Sequence, residues 1–279
     1  MTVPTPALRV APPHGAGEPL LLLHPFTMSH HVWRAVGPAL ADEFDVFAPT
    51  LPAHWGGPPL PARDVDVPHL ADGIEAMLDG LGWDTCHIAG NSLGGWTAFE
   101  LARRGRARSV TAIAPAGGWA GRTPASLALG LGFLAAWPLI HLAARYANDR
   151  ALLRTQYLRV VSANVLAVPR QDSGYALNAA YGCGGHIPLL WNVLRTGQGV
   201  QGLDQVSCPV QLVLCGRDRV VPARWFAQHY LDGLPDATVT RLPDVGHVPM
   251  LEAPDVVADT IRGFARGATA RPGMELDAG

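Results

Sequence analysis

Lysine is absent from this chain, and all 21 of its cationic side chains are arginines. That excludes Schiff-base chemistry on a lysine side chain. Charge of either sign is scarce: charged residues make up 16% of the 279 positions and the formal net charge is −2. Such a balance provides no field to draw in nucleic acid, and no local basic tract replaces one. Cysteine is also sparse. Cys86, Cys183, Cys208 and Cys215 lack metal-ligand spacing, and three of them lie in or beside apolar runs, as buried thiols do. No metal and no cofactor are expected. Met1 to Gly17 is rich in Pro, Ala and turn residues and lacks the charged-then-apolar order of a secretion signal, so a reducing, cytoplasmic location is expected.

One long stretch lacks charge altogether. Between Arg122 and Arg145 no charged residue occurs, and Leu127 to Ile140 is strongly apolar. Length alone would admit a membrane span. Gly130, Gly132, Pro138 and His141 interrupt the run and no cationic cluster flanks it, so it reads as a helical cover over an apolar pocket, with a membrane-surface contact as the alternative, rather than an integral span.

What is present is apolar residue in quantity, 48% of the chain, enough for one large core or a domain with a sizeable insertion. Pro19 to His24 is a short apolar run suited to a central parallel strand, followed by a helical spacing from Val32 to Ala41 and a strand from Phe44 to Ala48. Thr50 to Pro61 holds too many Pro and Gly residues for regular structure and is expected as an ordered surface loop. A helix follows from Pro68 until Gly82 stops it, then an apolar strand from Cys86 that runs through the Gly90–Gly94 turn into a helix from Trp96 to Arg104, and a strand at Ser109–Ala114. Alternation of this kind implies a parallel sheet covered on both faces.

From Trp119 to Gln205 only helical runs and Gly-rich breaks are found. Strand character returns at Val210–Gly216, then a helix at Ala223–Leu231, a strand at Ala237–Leu242 and a helix at Asp255–Phe264. The expected division is therefore 1–118 and 206–270 as a core, 119–205 as a helical cap and 271–279 as a flexible tail.

The strongest local signal is Gly90-Asn91-Ser92-Leu93-Gly94 between a strand and a helix. Glycines two before and two after a serine let strand and helix close up while the serine stands clear of the sheet, as a nucleophile must. The Leu93 amide, at the helix N-terminus, is then placed to hold an oxyanion. A serine hydroxyl needs an imidazole to take its proton and a carboxylate to hold that imidazole. His247, in the Gly246-containing loop after the last strand, fits the first role. Asp218, just past a buried strand, fits the second by elimination: Asp244 is too close in sequence to His247, Asp204 precedes its strand, and Pro115-Ala-Gly-Gly118 has no carboxylate.

Ser92, Asp218 and His247 occur in the chain order of the α/β-hydrolase superfamily, and the sequence resembles its cap-bearing branch of esterase-like and carbon–carbon bond hydrolases. The likeness is most specific at Gly90-Asn-Ser-Leu-Gly-Gly95 and Gly246-His-Val-Pro-Met-Leu-Glu252. It implies an α/β-hydrolase fold with a mostly parallel sheet, and a second oxyanion amide from Phe26, here in His24-Pro25-Phe26 where the family has His-Gly-Phe. Leu51-Pro-Ala-His-Trp-Gly56 likewise stands where Pro-Gly-His-Gly is common. His24 is expected to brace its loop, and His30, His31, His54 and Trp55 to line the entrance or to sit exposed. Candidate substrate-lining residues are His24, His30, Trp55, Trp119, Phe133, Trp137 and Val248. Arg145, Arg150, Arg154 and Arg159 read as a solvated face, with a carboxylate clamp as the alternative.

The expected activity is hydrolysis of a small hydrophobic ester or lactone through an acyl-enzyme, by a monomer or homodimer. Carbon–carbon bond hydrolysis is the alternative and a non-catalytic ligand-binding homologue the third reading. Dehalogenation and epoxide opening normally use Asp at position 92 in this superfamily, so serine argues against both.

Overall fold

The computed structural model describes residues 7–12, 17–147 and 151–269. The tail expected at 271–279 and Arg150 lie outside the described residues, as do the side chains of Arg145 and a few neighbours.

The chain opens with strand β1 (Ala7–Val10), β2 (Glu18–Leu23), a short helix α1 (Val36–Leu40) and β3 (Phe44–Pro49). Helix α2 (Val67–Gly80), β4 (Cys86–Asn91), α3 (Leu93–Arg103) and β5 (Ala107–Ile113) follow. Next come α4 (Pro124–Ala147), α5 (Ala151–Val161), α6 (Arg170–Gly182) and α7 (His186–Thr196). The last part comprises β6 (Val210–Cys215), α8 (Ala223–Phe226), α9 (Gln228–Gly233), β7 (Thr238–Leu242) and α10 (Pro254–Thr269).

The seven strands form one sheet in the order β1-β3-β2-β4-β5-β6-β7, parallel except for β1, which runs antiparallel to β3. Leu21, Leu22 and Leu23 of β2 are fully buried, which explains the unbroken apolar run: both faces are covered, so no residue faces water. Leu20 and Leu22 pack with Trp33, Val36 and Ile261, whereas Leu21 and Leu23 pack with Leu70, Ile74 and Phe99. Alternation along one strand thus feeds two separate cores.

Four differences from the sequence expectations have plain causes. Strand β1 falls in a stretch expected to be loose; it is a four-residue edge strand with half-buried side chains, too short for a two-residue period to show. The helix expected over Val32–Ala41 is a 3-10 turn at His30–Trp33 followed by α1, with Gly37 and Pro38 inside the latter. At Gly37 a Cβ would come within 2.9 Å of Leu8, so the glycine admits β1. The expected Ala223–Leu231 helix is likewise two short ones joined at Ala227. Finally α10 runs on to Thr269, past the expected end at Phe264, because Ile261 and Ala265 continue its buried face.

All elements described between β5 and β6 are helical, the four cap helices α4 to α7 and two short 3-10 turns. They are fastened to the sheet domain by identifiable bonds. Arg34 pairs with the buried Asp172 of α6 at 2.8 Å, the Gly185 amide donates to the Ala53 carbonyl at 2.7 Å, and the Val248 amide donates to the Val161 carbonyl at 2.9 Å. No helix among the described residues is long and apolar enough to cross a membrane.

Candidate active site

Because β2, β4, β6 and β7 are parallel, the loops carrying His24, Ser92, Asp218 and His247 all leave the sheet at one edge, the place where open α/β sheets gather their chemistry. Ser92 sits between β4 and α3 with φ 54° and ψ −114°, a conformation that costs a non-glycine residue about 1–3 kcal/mol. Its surroundings hold it there: its amide donates to the Ile113 carbonyl at 3.0 Å, and its carbonyl accepts from Trp96 and Ala116, each at 3.0 Å. The flanking glycines are sterically required. A Cβ at Gly90 would lie 2.3 Å from the Gly94 oxygen, and one at Gly94 would lie 2.2 Å from the Leu23 oxygen. The same closeness presses the start of α3 against the end of β2, next to the loop that carries Phe26. The first amides of α3, Leu93 included, have no intrahelical acceptor.

His247 and Asp218 are in direct contact. The imidazole Nδ1 lies 2.7 Å from Asp218 Oδ2, with both side chains buried. Asp218 Oδ1 accepts from the amides of Val220 and Val221 at 2.7 and 2.8 Å. Burial alone would push this carboxyl up, but the adjacent imidazole and the two amides outweigh it and hold Asp218 below its usual range. In the neutral imidazole, a carboxylate accepting from Nδ1–H leaves Nε2 as the ring's acceptor nitrogen.

Two residues with no assigned part in the sequence reading fix the loop of His247. Asn91, fully buried beside Ser92, donates from Nδ2 to the Ile113 and His247 carbonyls, both at 2.9 Å. It thereby ties the serine turn to the histidine loop. Glu252 accepts from the Gly246 amide at 2.7 Å and the Ala163 amide at 3.1 Å, and its other oxygen from the Asn164 amide. One carboxylate thus joins the histidine loop to the end of α5. Their chain positions, one before Ser92 and five after His247, were the available signal.

The remaining predicted residues are distributed as follows. His24 is fully buried and both its nitrogens are committed to backbone, Nδ1 to the Pro25 carbonyl and Nε2 to the Leu51 amide, each at 2.9 Å. Burial holds its pKa well below normal, so a neutral ring braces two loops and has no nitrogen left for a substrate. His30 is buried and bonded to the Thr50 hydroxyl at 2.7 Å, while His31 stacks on Tyr175 at 4.0 Å. His54 is also buried, so neither it nor His30 is an exposed loop residue. Ala53 adopts φ 61° where glycine would be strain-free, and Trp55 wedges against α6, where a Cβ on Gly182 would fall 2.2 Å from its ring. Phe133 and Trp137 both reach His186, with ring centres 6.4 and 6.3 Å away, and Phe133 also meets Phe26 at 5.6 Å. Trp119 instead belongs to a separate apolar cluster with Val221 and Phe226. Val248 is fully buried in the core beside Val161. Arg154 is half-buried and Arg159 exposed.

Buried histidines also set the acid limit of the fold. His30, His54 and His186 are each lowered to about 4, chiefly by burial. In the unfolded chain they would titrate near 6.5. Between these values the unfolded state binds more protons, so stability is intact above pH 6.5 and is lost as pH falls toward 4. For His54 alone the loss amounts to about 3 kcal/mol at 1.36 kcal/mol per unit. Thermal unfolding followed from pH 7 to pH 4.5 is expected to show a steadily falling Tm, most of the drop below pH 6.

A strained serine at a strand-to-helix turn, with a histidine–carboxylate pair emerging at the same edge of a parallel sheet and helices inserted above it, defines an α/β-hydrolase-fold enzyme. The chain belongs to the alpha/beta hydrolase family, whose sequence profile matches residues 20–260. It is 44% identical over 202 residues to the epoxide hydrolase EphH of Mycobacterium tuberculosis, covering 70% of this chain and 92% of that protein. It is 30% identical over 268 residues to the pimeloyl-[acyl-carrier protein] methyl ester esterase of Aromatoleum aromaticum, covering 89% and 98%. Among solved structures it resembles a thermophilic esterase from Thermogutta terrifontis, with a TM-score of 0.71, 20% identity and coverage of 94% and 93%.

Proposed function

We propose that the protein hydrolyses small hydrophobic carboxylic esters or lactones through a Ser92–His247–Asp218 triad, with residues 119–205 as a cap over the site. The observation that carries this reading is the 2.7 Å bond between His247 and Asp218, on a loop fastened by Asn91 to the turn that holds Ser92 at positive φ. In the proposed cycle Ser92 Oγ attacks the carbonyl carbon as its proton passes to His247 Nε2. The Leu93 and Phe26 amides hold the oxyanion, and the proton then goes to the departing alkoxide. Water, deprotonated by His247, attacks the acyl carbon and restores the serine. The methyl ester esterase from Aromatoleum, alike over nearly its whole length, supports an ester as the substrate class.

A fluorophosphonate probe tests the assignment directly. Wild-type protein should become covalently labelled at Ser92, located by mass spectrometry of the peptide; labelling elsewhere or none would sink the triad. A carbon–carbon bond hydrolase would reverse the ranking, turning over a ring-fission dienone and leaving simple esters nearly inert.

The likeness to EphH raises epoxide opening as a second reading. The serine at position 92 argues against it. Attack by a serine hydroxyl on an epoxide carbon would leave a serine ether, which has no carbonyl for water to attack, whereas a carboxylate nucleophile leaves an ester that water cleaves. Styrene oxide should therefore give no diol beyond the uncatalysed rate, as measured by chromatography.

A further inference from the structure

Two buried imidazoles at the seam between cap and sheet domain are each used on one side only. His54 is 4% exposed and its Nδ1 contacts the Pro52 carbonyl at 3.0 Å; His186 is 1% exposed and its Nε2 contacts the Phe133 carbonyl at 3.4 Å. A carbonyl only accepts, so the contacting nitrogen carries the proton and the other nitrogen is a bare acceptor. His54 Nε2 and His186 Nδ1 are both buried and have no hydrogen-bond partner, and His141 Nδ1 is in the same condition. The Gly185 amide bound to the Ala53 carbonyl sets His186 and His54 side by side, one from the cap and one from the sheet domain. Both rings pack on Phe26, at 5.2 and 5.9 Å, and His141 lies further along α4, tilted against Trp137 at 4.4 Å and Tyr181 at 4.8 Å.

Leaving such acceptors unsatisfied in an apolar interior is costly, and native proteins rarely do so without a reason. We infer that His54 and His186 form a pair of hydrogen-bond acceptors for hydroxyl groups carried on the substrate, so that the preferred ester or lactone is a hydroxylated one. The inference rests on the ester-hydrolase reading and narrows its substrate class. Two acceptors with no donor to offer reject a carboxylate, which needs donors. An ammonium group is disfavoured too: the charges acting on His54 and His186 come from other histidines, so a buried cation would find no counter-charge. A neutral hydroxyl satisfies an acceptor at no electrostatic cost. Burial keeps His54 and His186 unprotonated down to about pH 4, so they remain acceptors at neutral pH.

The test compares phenyl hexanoate with its analogues bearing one hydroxyl at C3, C4, C5 or C6. Wild-type protein should prefer at least one analogue by about 30-fold in kcat/KM. His186→Phe and His54→Leu, examined separately, should bring that ratio toward one. Calorimetry with the corresponding anilides, which resist hydrolysis, measures the same preference without turnover. A preference in binding with no ester cleavage would keep the hydroxyl site and overturn the hydrolase reading. Cleavage of all five esters at similar rates by wild-type protein would overturn the hydroxyl site, meaning that bound water satisfies these nitrogens, and leave the hydrolase reading standing. A wild-type preference undiminished in both variants overturns it equally.

Discussion

Ser92→Ala should lower kcat for an aryl ester by on the order of 10⁵-fold or more while leaving the fold intact. Alanine keeps the Cβ that the site already accommodates at φ 54°, and the backbone bonds from Ser92 to Ile113, Trp96 and Ala116 do not involve the hydroxyl. Only the attacking oxygen is lost. Some catalysis should persist, because the Leu93 and Phe26 amides can still polarise a carbonyl toward attack by water, an effect typically worth about 10³-fold over solution. His247→Ala should fall to a similar level, and the double variant no further, since a nucleophile without a base and a base without a nucleophile are equally idle. Burst and steady-state kinetics check this: the wild-type burst of phenol should vanish in both single variants. A Ser92→Ala protein that retained the wild-type rate would end the proposal.

The frame of this fold was readable because buried parallel strands leave a distinctive trace. Pro19 to His24 is apolar without alternation and Val210 to Gly216 nearly so, broken by Gln211, as strands covered on both faces are, and both lie in the sheet within a residue or so of the expected bounds. The tight turn at Ser92 was readable because the glycines that shape it are sequence-local. The contacts that hold the loops together were not. Glu252 reaches Ala163 and Asn164, 89 and 88 residues away, and Asn91 reaches across 156 residues to the His247 carbonyl. Sequence patterning carries no record of such distances. The burial of His30 and His54 was hidden for a related reason: a loop rich in Pro and Gly reads as surface, yet α6 and α7 fold back over this one.

Glu252 and Asn91 together show why the histidine can be placed accurately on a loop. Loops are ordinarily the more mobile part of a fold. Here the His247 carbonyl is held by Asn91, the preceding amide of Gly246 by Glu252, and the following amide of Val248 by the Val161 carbonyl. Three consecutive residues are therefore pinned, to β4's end, to the loop's own carboxylate and to the cap. The cap helices and the His247 loop share fastenings, so a displaced α5 would disturb the imidazole to which the proposed mechanism gives the proton.

Asp218→Asn is the second large effect, expected at about 10⁴-fold in kcat/KM with little change in fold. The reason is the direction of hydrogen bonds rather than the loss of charge alone. The Val220 and Val221 amides are donors aimed at Oδ1, so an asparagine would keep its carbonyl oxygen there and turn its NH2 toward His247. An amide NH2 can only donate, which forces Nδ1 of the imidazole to be the acceptor and puts the ring proton on Nε2. That nitrogen then cannot take the proton from Ser92. Fluorophosphonate labelling should slow by a comparable factor, because it demands the same proton transfer. Asp218→Glu, by contrast, keeps an acceptor opposite Nδ1 and should recover part of the labelling rate despite its longer reach. Equal losses in the Asn and Glu variants would indicate that placement of the ring, and not its tautomer, is what Asp218 controls.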